Sequence, residues 1–413
     1  MKGILKFLDN NLGYFLIIPA LILIILFSIL PIFESLKFSF FDFQLNDQQK
    51  SGLYFSERYN LDLMHETFDY IDYYLDIEKD SLADANNKAE LQTVRESINN
   101  EYENILQLFS EESGVVKITK NQKEELLIST QKSLDKLNSF YNKDLDFTMK
   151  DDTLTVASEL NTCFIKPNFS GVNNFLAVLK DTRVWHSLYI TIFFTVTSVG
   201  FELVLGLMLA LIMNKAIAGR GFIRTFSLVP WAIPTSVAAL MWAYLYNGSS
   251  GIIAIVFEKM GILAQSTDLM LTSSGALWAI ILADVWKTTP YMALLLLAGL
   301  QVIPKSLYES SAIDGANKWQ QFKNITLPLL KPAILVALLF RTLDAFRVFD
   351  LIYVLTGGGP GGTTESISIY AYKTMFAQTR FGYGSAMVLI MAIVVGIISY
   401  LYIKWLDVEL ISD

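Results

Sequence analysis

Four charged residues recur at a spacing of three within one apolar stretch: Arg341, Asp344, Arg347 and Asp350. Residues three apart share a helix face, and a charge at the centre of a membrane helix costs at least about 2.5 kcal/mol. Such groups face a cavity or one another. They form a self-neutralising ladder, a polar wall along a solute path, or both. Guanidinium forks and carboxylates suit a solute rich in hydroxyls. A second apolar stretch holds Asp284 and Lys287, again three apart, with Trp286 between them and Tyr291 beyond. Those two rings suit stacking on the apolar face of a cyclic solute, and they equally suit packing. Glu202 is a lone acid in a third apolar stretch and is expected to pair inside a helix bundle.

Catalysis finds no support. No cluster of hydroxyl, carboxylate and imidazole groups has a plausible spacing. The histidines are His65 and His186 and the one cysteine is Cys163, which offers neither a dedicated zinc set nor an internal disulfide. No glycine-rich, lysine-bearing nucleotide loop occurs, so no cofactor is expected in this chain, and if ATP drives it, a different chain binds the ATP. The basic residues fall in short loops where membrane topology explains them, so nucleic acid is not an expected partner.

A polar segment, residues 305–328, separates two apolar stretches. Ser306 and Glu309 read as a capping-box pair at a helix start. Ser310, Ser311 and Ala312 are small enough for close packing, and Gly315 breaks the helix. Asn317 caps a second short helix carrying Trp319 and Phe322, and Pro328 precedes the next apolar stretch. Two short helices joined by a glycine suit insertion into a groove on another protein.

These elements need a membrane to hold them. Of 413 residues, 53% are hydrophobic and the mean hydropathy is +0.41, values that point to a membrane protein. Six spans of about 20 apolar residues are expected, at Tyr14–Phe33 and at roughly 188–213, 222–246, 276–300, 332–355 and 385–405. The first is too long for a signal peptide's apolar core, and no small-residue cleavage site follows Phe33, so it reads as a retained span. Lysine and arginine favour one set of loops: Lys2, Lys6, Lys215, Arg220, Arg224, Lys305, Lys318, Lys323, Lys331 and Lys404. The alternate loops hold Lys259, Lys373 and Arg380. This bias puts both termini and the 305–328 loop in the cytoplasm. Pro230 and Pro234 open the third span and free backbone carbonyls there, which is tolerated where they line a cavity.

The net charge of −8 is uneven: residues 42–183 hold 26 acidic and 15 basic residues, a balance of −11, against +3 elsewhere. The chain is expected to divide into residues 1–41, a water-exposed insert at 42–183, and a five-span core at 184–413. In the insert, Leu91, Val94, Ile98, Tyr102, Ile105 and Phe109 follow a helical period, as do Leu127, Thr130, Leu134, Leu137 and Tyr141. Ser113 and Gly114 mark a turn between them, and a short strand is expected near Val115–Ile118. The insert serves as a plain spacer or as an arm that contacts another protein.

Glu309, Ser310, Ser311, Asp314, Gly315 and Ala316, followed by Phe322, Ile325, Leu327 and Pro328, resemble the coupling-loop signature of ABC importer permeases. Ser310 and Ser311 replace the alanines usual there. Further pieces narrow the resemblance: Pro230 to Pro234; Gly251; Phe349 and Asp350; Thr356 to Pro360; Thr363, Thr364 and Glu365; Tyr370; and Gly382 to Ala386. Together they are similar to the carbohydrate class, more narrowly its maltose/trehalose branch, over most of residues 186–405. The resemblance implies an all-α polytopic membrane protein of the type I importer fold, with six spans and an extracytoplasmic insert between the first two. It implies half of a sugar pathway lying in the prokaryotic inner membrane. The implied partners are a second permease subunit, two cytoplasmic ATPases that hold ATP and magnesium, and an extracytoplasmic solute-binding protein. By the same resemblance, residues near Arg341 and Asp344 contribute to the sugar site. Alternatives are import of a glycerol phosphodiester or polyol, a membrane-anchored interaction protein, and an ion-coupled carrier.

Overall fold

The computed structural model describes residues 17–109, 112–215 and 220–406. Lys2, Lys6 and the start of the first apolar stretch lie outside the described residues. Among the described residues, five helices are long and apolar enough to cross a membrane, or six if one bent pair counts as a single span. The chain divides into two compact units, residues 1–174 with 379–382, and residues 175–378 with 383–413.

The first unit begins with α1, Ile17–Ser39, whose apolar side chains are exposed along most of its length. Beyond it a polar, mainly helical body is built from β1 (Arg58–Asn60), α2 (Leu61–Ser81), α3 (Ala85–Leu108), β2 (Val115–Lys117), α4 (Lys120–Tyr141), α5 (Lys150–Ser158) and β3 (Phe164–Ile165). The three strands form one small antiparallel sheet with β1 in the centre. Sequence sets the helix starts. The Asn60 side chain accepts from the Leu63 amide at 3.2 Å, and Thr119 with Gln122 forms a reciprocal capping box at α4. The core draws on Met64, Phe68, Ile71 and Leu75 of α2, Leu91, Val94, Ile98 and Ile105 of α3, and Leu126, Leu137 and Phe140 of α4. The expected stripe on α4 holds at Thr130, Leu137 and Tyr141, all buried, and fails at Leu127. Leu126 is fully buried whereas Leu127 is 44% exposed, because Leu126, Thr130, Ser133, Leu137 and Phe140 form the face that meets α3 and α5.

Glu78 holds this unit together at depth. It is fully buried, and its carboxylate accepts from the Thr148 and Met149 amides (3.1 and 2.7 Å) at the start of α5, and from the Ser81 hydroxyl (2.8 Å). An anion at a helix N-terminus satisfies amides that have no helical partner. Replacing it by alanine would remove the acceptor of both amides, at about 1 kcal/mol for each hydrogen bond lost. Glu78→Ala is therefore expected to speed hydrogen exchange at the Thr148 and Met149 amides by roughly tenfold or more, while Glu78→Gln, which keeps one acceptor oxygen, has a smaller effect. Unchanged exchange in the alanine variant would contradict this role.

The second unit is the membrane bundle. Its long helices are α6 (Thr182–Asn214), the bent series α7 (Arg220–Ser227), α8 (Val229–Ala232) and α9 (Thr235–Leu245), then α10 (Ser273–Val302). The elbow helices α11 (Lys305–Ile313) and α12 (Lys318–Gln321) lead into α13 (Leu327–Phe346), followed by α14 (Asp350–Leu355), α15 (Ile367–Tyr372) and α16 (Phe381–Leu406). At the centre α6 lies against α10. A Cβ on Gly206 would sit 2.7 Å from the Met292 side chain, so only glycine lets these backbones approach this closely.

The third expected span is not straight. Residues 221–232 and 235–245 meet at 89°. Pro234 pushes the residue before it out of the helical region, and Ile233 is extended (φ −72°, ψ 132°). The fifth expected span also differs. Its helix runs from Lys318 through a π-turn at Phe322–Thr326 to Phe346 and stops there, well short of Leu355.

Candidate functional site

Arg341 is the centre of the bundle's polar interior. It is 1% exposed and lies on α13, five residues before the helix ends. Its Nε and Nη2 donate to both carboxylate oxygens of Glu202 on α6 (2.5 and 2.7 Å). Nη2 also reaches Asp284 on α10 (2.9 Å), and Nη1 reaches Asp344 one turn further along α13 (2.8 Å). Hydroxyls complete the shell. Ser198 donates to Glu202 (2.9 Å) and contacts Asp284, and Thr288 donates to Glu202 (2.7 Å). Three helices are thus tied through one guanidinium, whose planar fork matches carboxylates in pairs.

Lys287, also buried, points to the bend in the third span. Its Nζ donates to the backbone carbonyls of Ile233 (2.8 Å) and Trp231 (3.3 Å). The extended Ile233 ends the helix there, and the ammonium supplies donors that a continuous helix would have provided. The break therefore falls at Pro234, while Pro230 sits in the first turn of α8, and Lys287 donates to the two carbonyls beside the break.

Beside this cluster lies a cavity of about 330 Å³. Asp284, Arg341, Asp344, Arg347 and Asp350 all line it, joined by Lys287, Thr288, Trp231 and Thr235. The expected ladder does not run along one helix. Arg341 pairs with Asp344, and Arg347 approaches Asp344 at 3.7 Å, but α13 ends at Phe346 and a new helix begins at Asp350. Between them Phe349 turns to pack its ring against Tyr353 and Tyr372 (5.1 and 4.9 Å). Asp350 has no ion pair among the described residues. Asp344 and Arg347 keep 59% and 70% of their side chains exposed, so their charges are presented to the cavity.

Trp286 does not line the cavity. It meets Trp242 edge-on at 5.4 Å, because its neighbours Asp284 and Lys287 take the cavity-facing positions of α10. Tyr291 does not line it either, but its ring stacks on Trp231 (5.5 Å, 11°) and so sets the plane of an indole that does. Sequence reasoning missed Trp231 and Thr288 as lining residues, and Ser198 as a hydroxyl partner of the buried carboxylates. The spacing of four between Ser198 and Glu202, and between Asp284 and Thr288, was the available signal.

At the opposite end of α13 is the elbow. Ser306 and Glu309 do not cap it: α11 starts at Lys305 behind an extended Pro304, which places both residues inside the helix. Asp314 ends α11, and Gly315 turns the chain at φ +86°, a region where a side chain is strained. Asn317 then caps α12, exchanging bonds with Gln320 (2.9 and 2.8 Å). The two arms are clamped by buried Gln321, whose Nε2 donates to the Tyr308 carbonyl and the Ser311 hydroxyl, both at 3.0 Å. The Ala316 amide donates back to the Ser311 carbonyl (2.9 Å), and Tyr308 and Thr326 share a hydroxyl bond (2.9 Å). Phe322 is half-buried beneath Trp319 (5.6 Å), and Pro328 sits in the first turn of α13. Glu309, Ser310 and Asp314 face outward with Ile313, which is 87% exposed.

A third cluster joins α6 to the Gly357–Glu365 loop. Glu365, 1% exposed, takes a bidentate contact from Arg183 (2.7 and 3.0 Å) and a third from Lys373 (2.9 Å). Arg183 lies over the Tyr370 ring at 4.5 Å. Burial pushes the Glu365 carboxyl up, but the bonds from Arg183 and Lys373 outweigh it and hold it below its ordinary value. The contribution of this cluster is present above the unfolded glutamate range of about 4.3 and is lost as pH falls through the lower folded value. Hydrogen exchange in residues 356–366 is therefore expected to stay slow from neutral pH to about pH 5 and to quicken below pH 4 beyond its intrinsic trend. In Glu365→Gln that acid-dependent step should be missing.

Buried ion pairs linking apolar helices around a polar cavity, with a clamped helical elbow at one end, define a transport-type polytopic membrane protein. The family model described as "Binding-protein-dependent transport system inner membrane component" matches residues 202–411. The chain belongs to that family and is a permease of the ABC import type. It is 47% identical over 236 residues to the trehalose/maltose transport system permease protein MalF of Thermococcus litoralis, covering 57% of this chain and 79% of that one. It is 42% identical over 236 residues to the trehalose transport system permease protein SugA of Mycobacterium tuberculosis, covering 57% and 74%. The sulfoquinovosyl glycerol transport system permease protein SmoG of Agrobacterium fabrum is 39% identical over 230 residues, covering 56% and 74%. In fold the chain resembles a crystal structure of a bacterial ABC transporter involved in alginate import, at TM-score 0.53 and 19% identity, covering 76% of this chain and 99% of that one. It likewise resembles a bacterial alginate ABC transporter in complex with an alginate pentasaccharide-bound periplasmic protein, at TM-score 0.51 and 24% identity, covering 56% and 81%.

The Arg341 cluster sets a test of stability. Removing one partner of a buried pair costs about 3–5 kcal/mol, so Glu202→Ala is expected to lower the unfolding temperature of the detergent-purified protein markedly. Asp344→Ala, at a mostly exposed carboxylate, should cost less than about 1 kcal/mol. Equal effects from the two changes would show that Glu202 is not the main counter-ion.

Proposed function

We propose that this chain forms half of the transmembrane pathway of an ATP-driven importer for a sugar of di- or oligosaccharide size. A second, homologous permease subunit would complete the pathway. Two cytoplasmic ATPases would supply the energy, one of them gripping the elbow, and an extracytoplasmic binding protein would deliver the solute. In this reading both termini and the elbow lie in the cytoplasm and the acidic body at 42–183 lies outside, where it contacts the binding protein or spaces it from the membrane. Hydrolysis would belong to the partners, and this chain would hold no cofactor.

The observation that carries this reading is the elbow. It is clamped inside and bare outside: Gln321 ties its two arms together, while Ile313, Glu309 and Asp314 are exposed. A stiff protrusion with an exposed apolar tip suits insertion into a cleft on a motor subunit. The named transport systems of the relatives support a sugar. So does the cavity, where Asp344 and Asp350 stand beside Arg347 and offset its charge, favouring a neutral polyhydroxylated solute over an anion. Alternating access follows: closure of the ATPases draws the coupling elbows together and opens the bundle outward, and hydrolysis resets it.

Two tests address the two ends. Gly315→Asp and Glu309→Lys are each expected to abolish uptake of labelled trehalose or maltose in vesicles and to reduce ATPase co-purification several-fold, because one strains the turn and the other reverses charge on the docking face. Normal uptake with full co-purification in both would remove the coupling role. Asp344→Ala is expected to keep all subunits together while reducing uptake at least tenfold, since about 1.5–3 kcal/mol is typical for a hydrogen bond to a charged group. Loss of assembly in this variant would make the residue structural instead.

A further inference from the structure

At the foot of the bundle, where α6 and α10 end beside the elbow, lies a recess of about 620 Å³ that neither the ion-paired cavity nor the elbow's outer face accounts for. Leu211 and Leu300 form its floor, and the stacked rings of Trp319 and Phe322 form one wall. Lys215 and Lys318 stand at its rim, and no carboxylate lines it. Among the described residues the Lys318 ammonium makes one contact, to the Gln321 side chain at 3.3 Å, which leaves donors for a ligand. Apolar walls under paired cations suit a molecule that is anionic at one end and aliphatic at the other.

We propose that this recess binds an anionic phospholipid, its phosphate between Lys215 and Lys318 and its first methylenes over Leu211, Leu300 and the Trp319 ring. Basic recesses between membrane helices on the cytoplasmic side take anionic headgroups in this way, and an indole at the membrane surface suits the boundary between headgroup and chain. A free phosphate would satisfy the lysines but leave the leucine floor wet. The proposal rests on the permease reading only in placing the elbow at a lipid surface. Its consequence is that the second elbow helix has a lipid as part of its packing, so that leaflet composition acts on the coupling element.

The test uses the full protein, with whatever subunits co-purify, in phosphatidylcholine nanodiscs without sugar or nucleotide. A minor fraction of either dibrominated phosphatidylglycerol or dibrominated phosphatidylcholine is included. The Trp319 signal is the difference in emission between the native protein and Trp319→Phe. Brominated phosphatidylglycerol is expected to quench that signal at about one tenth the fraction that brominated phosphatidylcholine needs, the enrichment expected of two lysines near an anionic lipid. In the Lys215→Gln/Lys318→Gln double variant the two quenching curves should coincide. Equal quenching in the native protein, a preference that survives the double variant, or a Trp319 that neither lipid reaches because a protein partner covers it would each overturn the proposal. Co-purification of ATPase chains, scored on the same samples, reports on the permease reading independently of these outcomes.

Discussion

A guanidinium buried among apolar helices is stable only if carboxylates come with it, and this constraint shapes the second unit. The cost of dehydrating an ion is several kcal/mol, so Arg341 cannot be accommodated by packing alone. Glu202 supplies a bidentate partner from α6, Asp284 a second from α10, and Asp344 a third from its own helix. The two buried carboxylates are further held by hydroxyls, Glu202 by Ser198 and Thr288 and Asp284 by Ser198. The pairing fixes the rotation of three helices about their axes at once, since turning any one by a single residue would withdraw its charge. It also leaves polar groups on the open side, where the cavity forms. A structural lock and a polar wall are therefore the same set of atoms seen from two sides.

The broken third span belongs to this arrangement. A proline bend exposes carbonyls that a bilayer does not tolerate, and Lys287 meets them from α10, one turn from Asp284. The bend turns Trp231 to the cavity, with Tyr291 stacked behind it. An indole presented this way, beside carboxylates, is the chemistry that a sugar ring's apolar face and hydroxyls need. The bend thus coincides with the place where an aromatic ring joins the charged lining of the cavity.

Much of this was legible from residue types. The apolar stretches, the glycine turn at 315, the Asn317 cap and the need for Glu202 to pair inside the bundle all follow from local rules. The errors came where one local rule met another. A capping box at Ser306 was plausible until Pro304 claimed the helix start. A charge ladder from Arg341 to Asp350 required an unbroken helix, yet α13 ends at Phe346 and Phe349 packs on Tyr353 and Tyr372. The partner of Glu202 was beyond reach because it lies 139 residues away, and helical spacing carries no information about which helix lies opposite. Trp286 and Tyr291 show the same limit: their types were informative, but only tertiary packing decides whether an aromatic ring meets a solute, another ring, or the back of a ring that meets a solute.

The elbow and the cavity are joined by one continuous element. From Lys318 to Phe346 the chain is a single helix of 29 residues, interrupted only by the π-turn at Phe322–Thr326. At about 1.5 Å per residue, Arg341 lies roughly 34 Å from Lys318 along that axis. A helix of this length transmits displacement as a rod, provided that its base is fixed to what pushes it. Gln321 provides that fixing, since its side chain binds the first elbow arm from the first turns of the rod. Force on α11 would then reach α13 through the Gln321 hydrogen bonds and the Tyr308–Thr326 contact rather than through a loose loop. At the far end the rod meets Glu202 and Asp284 on two other helices, so it cannot shift without carrying them or exchanging their contacts. In the importer reading proposed above, coupling between a nucleotide-driven motion at one face and a change of access at the cavity would need no pathway beyond this helix and the ion pairs at its end.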